Sequence, residues 1–248
     1  MRLNDDLAVL ALDAQTMMGP SVLNLAVVLD EVHGPVLVDT GLPGMAPAVE
    51  AALAAEGVSL KNLSAIALTH HDLDHIGALP ELAAASDAQV LASAEETPYI
   101  AGGQRAQKLP PLDQVEAVLA GMPEERRETM RAVMTAPPRP VPVTRALHDG
   151  DMLPLAGGVQ VVLTPGHTAG HTSFFLTRSR VLLAGDALTA RAGQLQGPMA
   201  QATADLRTAH ASVQRLAELE PAAIVCYHGG LVQDDAAGQL RRLAASLS

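Results

Sequence analysis

The chain has 248 residues, 48% of them hydrophobic and 2% aromatic, so we expect residues 1–248 to form a single domain around a core of small aliphatic side chains. The formal net charge of -11 argues against nucleic acid as a partner, and no apolar run is long enough to span a membrane. The single cysteine excludes an internal disulfide, and the N-terminus lacks the apolar run of a signal peptide, so a cytoplasmic location is predicted.

The first part of the chain predicts a strand-rich opening followed by alternating helices and strands. Runs of apolar and β-branched residues favour strands, whereas stretches rich in Ala, Leu and Glu favour helices. The predicted strands are 7–12, 23–29, 36–38, 65–68 and 89–92, and the predicted helices are 46–55 and 76–85.

The second part repeats this order after an interruption. Strands are predicted at 153–163, 172–176, 181–184 and 222–226, with a helix at 204–219. Residues 94–146 are long for a connection within one domain and predict a helical insert, with helices at 116–119 and 124–134. Its basic residues favour a solvated helix face or, alternatively, attraction of an anionic substrate; they are Arg105, Lys108, Arg126, Arg127 and Arg131. Its apolar residues favour a Met-rich lip over the site or a homodimer contact.

The run from Thr69 to Gly77 has the sequence THHDLDHIG, with three imidazoles and two carboxylates. These side chains are common ligands of divalent metals such as zinc, and they would be costly to bury together without one. The run follows a predicted strand, and loops at strand ends are frequent places for functional residues. It therefore predicts a metal site.

Three further strand ends carry residues of the same type. They are His167 in the sequence TPGHTAGH, Asp186 after a buried strand, and His228 in the sequence CYHGG. We expect these residues to join the histidine-rich run in one shared site at a sheet edge.

The order and spacing of these segments resemble the metallo-β-lactamase superfamily, whose pattern is H-x-H-x-D-H, a lone His after T-P-G, an Asp after a strand, and a final His. The resemblance covers most of the chain. The resemblance implies an α/β fold of the four-layer αββα sandwich type, with the insert leaning over the site. Composition alone indicates only an α/β fold. The strand at 36–38 resembles the family's early strand, which would make Asp39 a hydrogen-bond partner of a ligand imidazole.

The resemblance also implies a ligand set for two divalent metal ions. One ion would take His70, Asp72 and His167; the other would take Asp74, His75 and His228; Asp186 would bridge them. The chain departs from the family pattern at Asp72, which stands where the second His belongs. A carboxylate there makes iron or manganese more plausible than in an all-imidazole site, although zinc remains favoured.

Four neighbouring residues have less direct predictions. Tyr227 is a candidate catalytic hydrogen-bond donor to an oxyanion, with burial in the core as the alternative. His71 is predicted to point away from the metals, and His171 to support its loop. Cys226 is expected to be a buried strand residue.

The implied function is dinuclear metal-dependent hydrolysis, in which a metal-bridging hydroxide attacks a small acyl substrate (a lactone, thioester or amide). Asp74 would serve both as a ligand and as a catalytic proton shuttle. No G-x-S-x-G motif offers a serine alternative. Phosphodiester or phosphotriester hydrolysis, and an iron-dependent oxidoreductase of the same superfamily, remain alternatives, as does a non-catalytic binding domain. The expected partner is a small-molecule substrate.

Overall fold

The computed structural model describes residues 1–16, 19–135 and 139–247. Its first sheet has seven strands in the order of the chain, antiparallel from β1 to β4 and parallel from β4 to β7. They are β1 (Arg2–Asn4), β2 (Leu7–Thr16), β3 (Gly19–Val28), β4 (Val36–Val38), β5 (Ala65–Ala67), β6 (Gln89–Ser93) and β7 (Arg145–Leu147).

The second sheet has six strands in the order β15-β14-β11-β10-β9-β8, and β12 and β13 form a separate hairpin. The strands are β8 (Met152–Leu153), β9 (Val159–Leu163), β10 (Thr172–Leu176), β11 (Val181–Gly185), β12 (Thr189–Arg191), β13 (Gln194–Gln196), β14 (Ala223–Cys226) and β15 (Gly230–Val232). Among the described strands of this six-stranded sheet, only β11 and β14 pair in parallel.

Eight α-helices occur in the described residues. They are α1 (Ala46–Ala55), α2 (Leu73–Ile76), α3 (Leu79–Ser86), α4 (Thr97–Ile100), α5 (Val115–Ala120), α6 (Glu124–Thr135), α7 (Leu206–Ala217) and α8 (Ala236–Ser246), with short 3₁₀ turns at Leu60–Asn62, Leu112–Gln114 and Ala200–Ala202. None of the described helices is long and apolar enough to cross a membrane.

Two sheets lie face to face and carry helices on their outer faces. Successive strand side chains point to opposite faces, so each sheet contributes to two layers of core. In β2, Val9 packs between the sheets, whereas Leu10 packs under the helices α1 and α3. In β11, Leu183 packs between the sheets and Leu182 under α7 and α8. The predicted α/β fold, the four-layer αββα sandwich, is therefore confirmed.

Two predicted elements are split in the structure, and several observed elements were not predicted. The single helix predicted at 76–85 is split into α2 and α3 around Gly77, and the strand predicted at 153–163 is split into β8 and β9 by the turn that contains Gly157 and Gly158. The unpredicted elements include the last helix, α8, and the strands β7 and β15. Residues 94–146 hold α4, α5 and α6, and the latter two enclose a small apolar cluster of Val115, Leu119 and Met134.

Candidate metal centre

The chain brings its ligand-type residues together because several strands end at the same edge of the two sheets. The parallel strands β4 and β5 end there, and so do β9, β11 and β14 of the second sheet. The residues that follow these strand ends include Asp39, His70, His167, Asp186 and His228. The short helix α2 adds Asp74 and His75.

Two of the three groups of three side chains that form at this edge match the predicted ligand sets, and the other joins His70, His75 and Asp186. In the first group, Asp72 Oδ2 lies 3.2 Å from His70 Nε2 and 3.0 Å from His167 Nε2. In the second group, Asp74 Oδ2 lies 3.9 Å from His75 Nε2 and 3.2 Å from His228 Nε2. In each group the ligand atoms lie within 4.8 Å of one another, which is close enough for one ion to contact all three.

Asp186 lies between the two groups. Its Oδ2 atom is 3.4 Å from His167 Nε2 in the first group and 3.5 Å from His228 Nε2 in the second, while its Oδ1 atom is 3.5 Å from His75 Nε2. The seven residues predicted as ligands thus occupy one site, and the carboxylate predicted to bridge faces both groups.

Several buried polar atoms at this site are suited to a metal ion. Among the described residues, Nε2 of His70, Nε2 of His75 and Oδ1 of Asp186 are buried without a hydrogen-bond partner. Leaving such atoms unpaired is costly, and buried polar atoms are normally satisfied. Imidazole nitrogens with carboxylate oxygens form a donor set that divalent ions accept. The residues present therefore fit divalent metal binding.

Hydrogen bonds on the far side of the rings orient these imidazoles. Asp39 Oδ2 lies 2.9 Å from His75 Nδ1, and the Thr69 hydroxyl lies 3.0 Å from His70 Nδ1. Asp39 also accepts a hydrogen bond from the backbone N–H of Thr69, which fixes the start of the loop. With Nδ1 engaged, Nε2 of each ring faces the site. The predicted hydrogen bond between Asp39, as acceptor, and a ligand-type imidazole is confirmed.

His71 and His171 use both ring nitrogens for contacts within the protein. His71 Nδ1 hydrogen-bonds the buried carboxylate of Glu96, and its Nε2 accepts from the backbone N–H of Gln107 at 3.3 Å. His171 Nδ1 lies 2.8 Å from the Thr164 hydroxyl, and its Nε2 accepts from the backbone N–H of Asp186 at 3.0 Å. His171 therefore holds Asp186 in place.

Tyr227 is buried, which agrees with the core alternative. Its buried hydroxyl donates a hydrogen bond to the backbone carbonyl of Asp74, so the side chain holds the ligand loop. Donation to a substrate oxyanion would require this bond to break. Cys226 is fully buried, as expected, and burial together with nearby Asp186 raises the pKa of its thiol.

The loop that carries His167 depends on close packing against α7. Gly166 has φ +131°, and a Cβ there would lie 2.2 Å from the backbone nitrogen of Ala209. The backbone N–H of Asp205, the N-cap of α7, donates to the carbonyl of Gly166 at 2.9 Å. Only glycine allows this approach, so the T-P-G sequence before His167 has a structural cause.

The carboxylates create a strongly negative electrostatic potential at the second group. Burial lowers the pKa of His228, but Asp186 and Asp74 outweigh it and raise the pKa to about 9. Burial also opposes protonation of His75, yet the carboxylates of Asp39, Asp186 and Asp74 hold its pKa well above the ordinary value. Burial and the proximity of His75 hold the pKa of His70 well below its ordinary value. The negative potential at His75 and His228 favours a bound cation.

Sequence reasoning missed two residues at the site. Glu96 was assigned no role, although it is fully buried and joins both ligand loops. Lys108 was predicted only as part of the insert's positive charge, yet its ammonium contacts Asp72 and His167. Each contact joins residues far apart in the chain, so local spacing gave no indication of them.

Comparison with known proteins agrees with this geometry. The family model of the metallo-beta-lactamase superfamily matches residues 21–228. A relative named probable metallo-hydrolase YflN, from Bacillus subtilis, is 33% identical and aligns with 80% of this chain and 76% of its own length. A hydroxyacylglutathione hydrolase from Fuscovulum blasticum is also 33% identical over 74% of this chain, which spans only 53% of that relative.

Solved structures share the architecture. A metallo-beta-lactamase family protein from Thermus thermophilus superposes with a TM-score of 0.72 at 29% identity, covering 99% of this chain and 80% of its own. An archaeal superfamily protein from Sulfolobus tokodaii has the same fold with a TM-score of 0.65 at 21% identity, covering 99% of this chain and 87% of its own. The αββα sandwich with a His/Asp site at its edge defines the class, and this chain belongs to the metallo-β-lactamase superfamily.

Proposed function

We propose that this metal-dependent hydrolase uses two divalent metal ions, zinc by preference, to cleave small acyl substrates. Thioesters and lactones come before amides in this proposal. The observation that carries it is the position of Asp186, whose carboxylate faces both ligand groups within 3.5 Å of His75, His167 and His228. A shared carboxylate is the arrangement expected where two ions act together.

The donor set suits this chemistry. Two bound divalent ions would act as Lewis acids and lower the pKa of water held between them. We assign the first ion to His70, Asp72 and His167, the second to Asp74, His75 and His228, and the shared position to Asp186. Asp39 and Thr69 hold two of the ligand imidazoles in the required orientation.

We assign proton transfer to the leaving group to Asp74. Its side chain is 26% exposed, compared with 5% for Asp186, so its carboxylate is open to a substrate while Asp186 is enclosed. Tyr227 would act by positioning the Asp74 backbone, through its hydrogen bond to that carbonyl.

The choice of an acyl substrate is supported by the relatives named hydroxyacylglutathione hydrolase, since an acylglutathione is a thioester. We further propose that the enzyme works in the cytoplasm, where a reduced thiol such as Cys226 is maintained.

The first experiment measures metal content and substrate preference together. Protein purified without added metal should contain about two zinc ions per chain. It should hydrolyse a hydroxyacylglutathione or a simple lactone at least about tenfold faster than bis(p-nitrophenyl) phosphate, because the proposed reaction is attack at a carbonyl carbon. Metal is measured by elemental analysis and turnover by initial rates.

The variants His167→Ala and Asp186→Ala should lose bound metal and turnover together, because each removes a ligand. His148→Ala, which changes an exposed histidine away from the centre, is the matched control and should retain both. Full turnover in metal-free protein, or a preference for the phosphodiester, would contradict the proposal. About two iron ions per chain would overturn the choice of zinc.

A further inference from the structure

Lys108 reaches from the insert into the first ligand group. Its Nζ atom forms an ion pair with Asp72 Oδ2, lies 2.8 Å from His167 Nε2, and donates to the backbone carbonyl of Ala202 at 3.1 Å. The ammonium group therefore places its three N–H donors among three acceptors. Two of these acceptors, Asp72 Oδ2 and His167 Nε2, are also ligand atoms of the first group.

Lys108 is held at this position by the residue before it. The backbone N–H of Gln107 donates to His71 Nε2 at 3.3 Å, and the Gln107 side chain accepts from the backbone N–H of Ala169 at 2.9 Å. The same side chain donates to the Tyr99 hydroxyl at 2.9 Å. His71 adjoins Asp72 and Ala169 follows shortly after His167, so this part of the insert is fastened to both loops of the first group.

The residue type is also informative. Of the 16 Lys and Arg residues in the chain, only Lys61 and Lys108 are lysines. A lysine ammonium is a compact point charge, as a metal ion is, whereas the guanidinium of arginine is a wide planar fork. A point charge fits among closely spaced acceptors that an arginine could not reach together.

We infer that the Lys108 ammonium and a divalent metal ion are alternative occupants of the first ligand group. Asp72 Oδ2 and His167 Nε2 cannot bind the ammonium and an ion at the same time, and the two positive charges would repel each other at such short range. Metal binding to His70, Asp72 and His167 therefore expels the Lys108 ammonium from the first group.

The inference rests on the metal centre of the proposed function and adds a consequence for it. No lysine or arginine among the described residues pairs with the second group, which is built by Asp74, His75 and His228. Removing the Lys108 charge should therefore strengthen zinc binding at the first group and leave the second group unchanged.

The first test titrates metal-free protein with zinc in the presence of a competing chelator. Lys108→Met removes the charge but keeps an unbranched side chain. It should strengthen zinc binding at one of the two sites by about tenfold or more, because no charge-assisted bond must be broken there, and leave the other site unchanged. Lys61→Met, which changes the exposed second lysine, should leave both affinities unchanged.

The second test uses the two lysines as an internal pair for amine acetylation, measured by peptide mass spectrometry. Zinc should increase the modification of Lys108 severalfold relative to chelator-treated protein, while Lys61 stays constant. Two ions bound with unchanged Lys108 reactivity, and equal affinities in wild type and Lys108→Met, would overturn the inference and leave the hydrolase proposal intact. Failure of wild-type protein and Lys108→Met alike to bind zinc would overturn both.

Discussion

At the scale of single residues, Glu96 shows how the site is held in place without contributing a ligand. Its carboxylate accepts hydrogen bonds from the backbone N–H of His71 at 2.9 Å, the Thr168 hydroxyl at 2.7 Å and the backbone N–H of Gly170 at 2.9 Å. It also pairs with the His71 ring. The loop before Asp72 and the loop after His167 are therefore joined by one buried carboxylate.

Glu96→Gln should lower the free energy of unfolding of metal-free protein by about 2–3 kcal/mol. The glutamine amide has only one acceptor oxygen, and its NH₂ group would face the N–H and O–H groups that donate to Glu96. Urea unfolding at neutral pH measures this effect. The adjacent Glu95 is exposed, so Glu95→Gln is a matched control with an expected change within about 0.5 kcal/mol. Equal stability of both variants would show that Glu96 does not join the loops.

The sequence predicted the residues that carry ligand atoms more readily than those that arrange them. His70, His75 and His167 belong to short motifs whose composition is unusual enough to indicate a metal. The supporting pairs, such as Thr164 with His171 and Lys108 with Asp72, are set by the packing of segments distant in the chain. Neither residue type nor spacing reveals such pairs before the fold is known.

At the scale of elements, regular runs were predicted well and interruptions poorly. Helix α1 and strands β4 and β10 begin and end at the predicted residues. The break between α2 and α3 was missed because residues 76–85 have good helix formers, and propensity does not register tertiary crowding. At Gly77, a Cβ would lie 2.3 Å from the ring of Pro43.

Gly77→Ala should force α2 away from the loop at Pro43. Since α2 carries Asp74 and His75, we expect a loss of about 1–3 kcal/mol in unfolding free energy, together with weaker zinc binding. Gly121→Ala is the control, because its added Cβ would lie 3.6 Å from the nearest atom, the Val118 carbonyl oxygen. Both are measured by urea unfolding and zinc titration, and wild-type metal affinity in Gly77→Ala would refute the packing argument.

At the scale of the whole molecule, the centre exists only where the two sheets meet. The first sheet and α2 supply His70, Asp72, Asp74 and His75, whereas the second sheet supplies His167, Asp186 and His228. The apolar layer between the sheets, with Val38 and Ala67 facing Val161 and Leu183, fixes their relative position. Contacts that join the sheets elsewhere should therefore support the centre through stability of the fold.

Asp30 makes such a contact at the edge opposite the centre, where β3 ends. Its carboxylate accepts a hydrogen bond at 2.7 Å from the backbone N–H of Ala156, which lies between β8 and β9 of the second sheet. It also accepts from the backbone N–H groups of Val32 and His33, at 2.9 and 2.7 Å. Although partial burial acts to raise its pKa, these hydrogen bonds favour the ionised form and lower the pKa from 3.8 to about 2.

Because the pKa of Asp30 is lower in the folded protein, unfolding takes up a proton between about pH 4 and pH 2. The stabilisation is complete above this range and is lost as the pH falls through it. Asp30→Asn should therefore lower the unfolding free energy at pH 7 by about 1–2 kcal/mol. The difference from wild type should shrink as the pH falls below about 4. Urea unfolding with chelator present, from pH 7 to pH 3, measures both effects.

The exposed Asp87 provides the control variant Asp87→Asn. If the difference in unfolding free energy between wild type and Asp30→Asn stayed constant with pH, the contact between Asp30 and Ala156 would not depend on the ionised carboxylate.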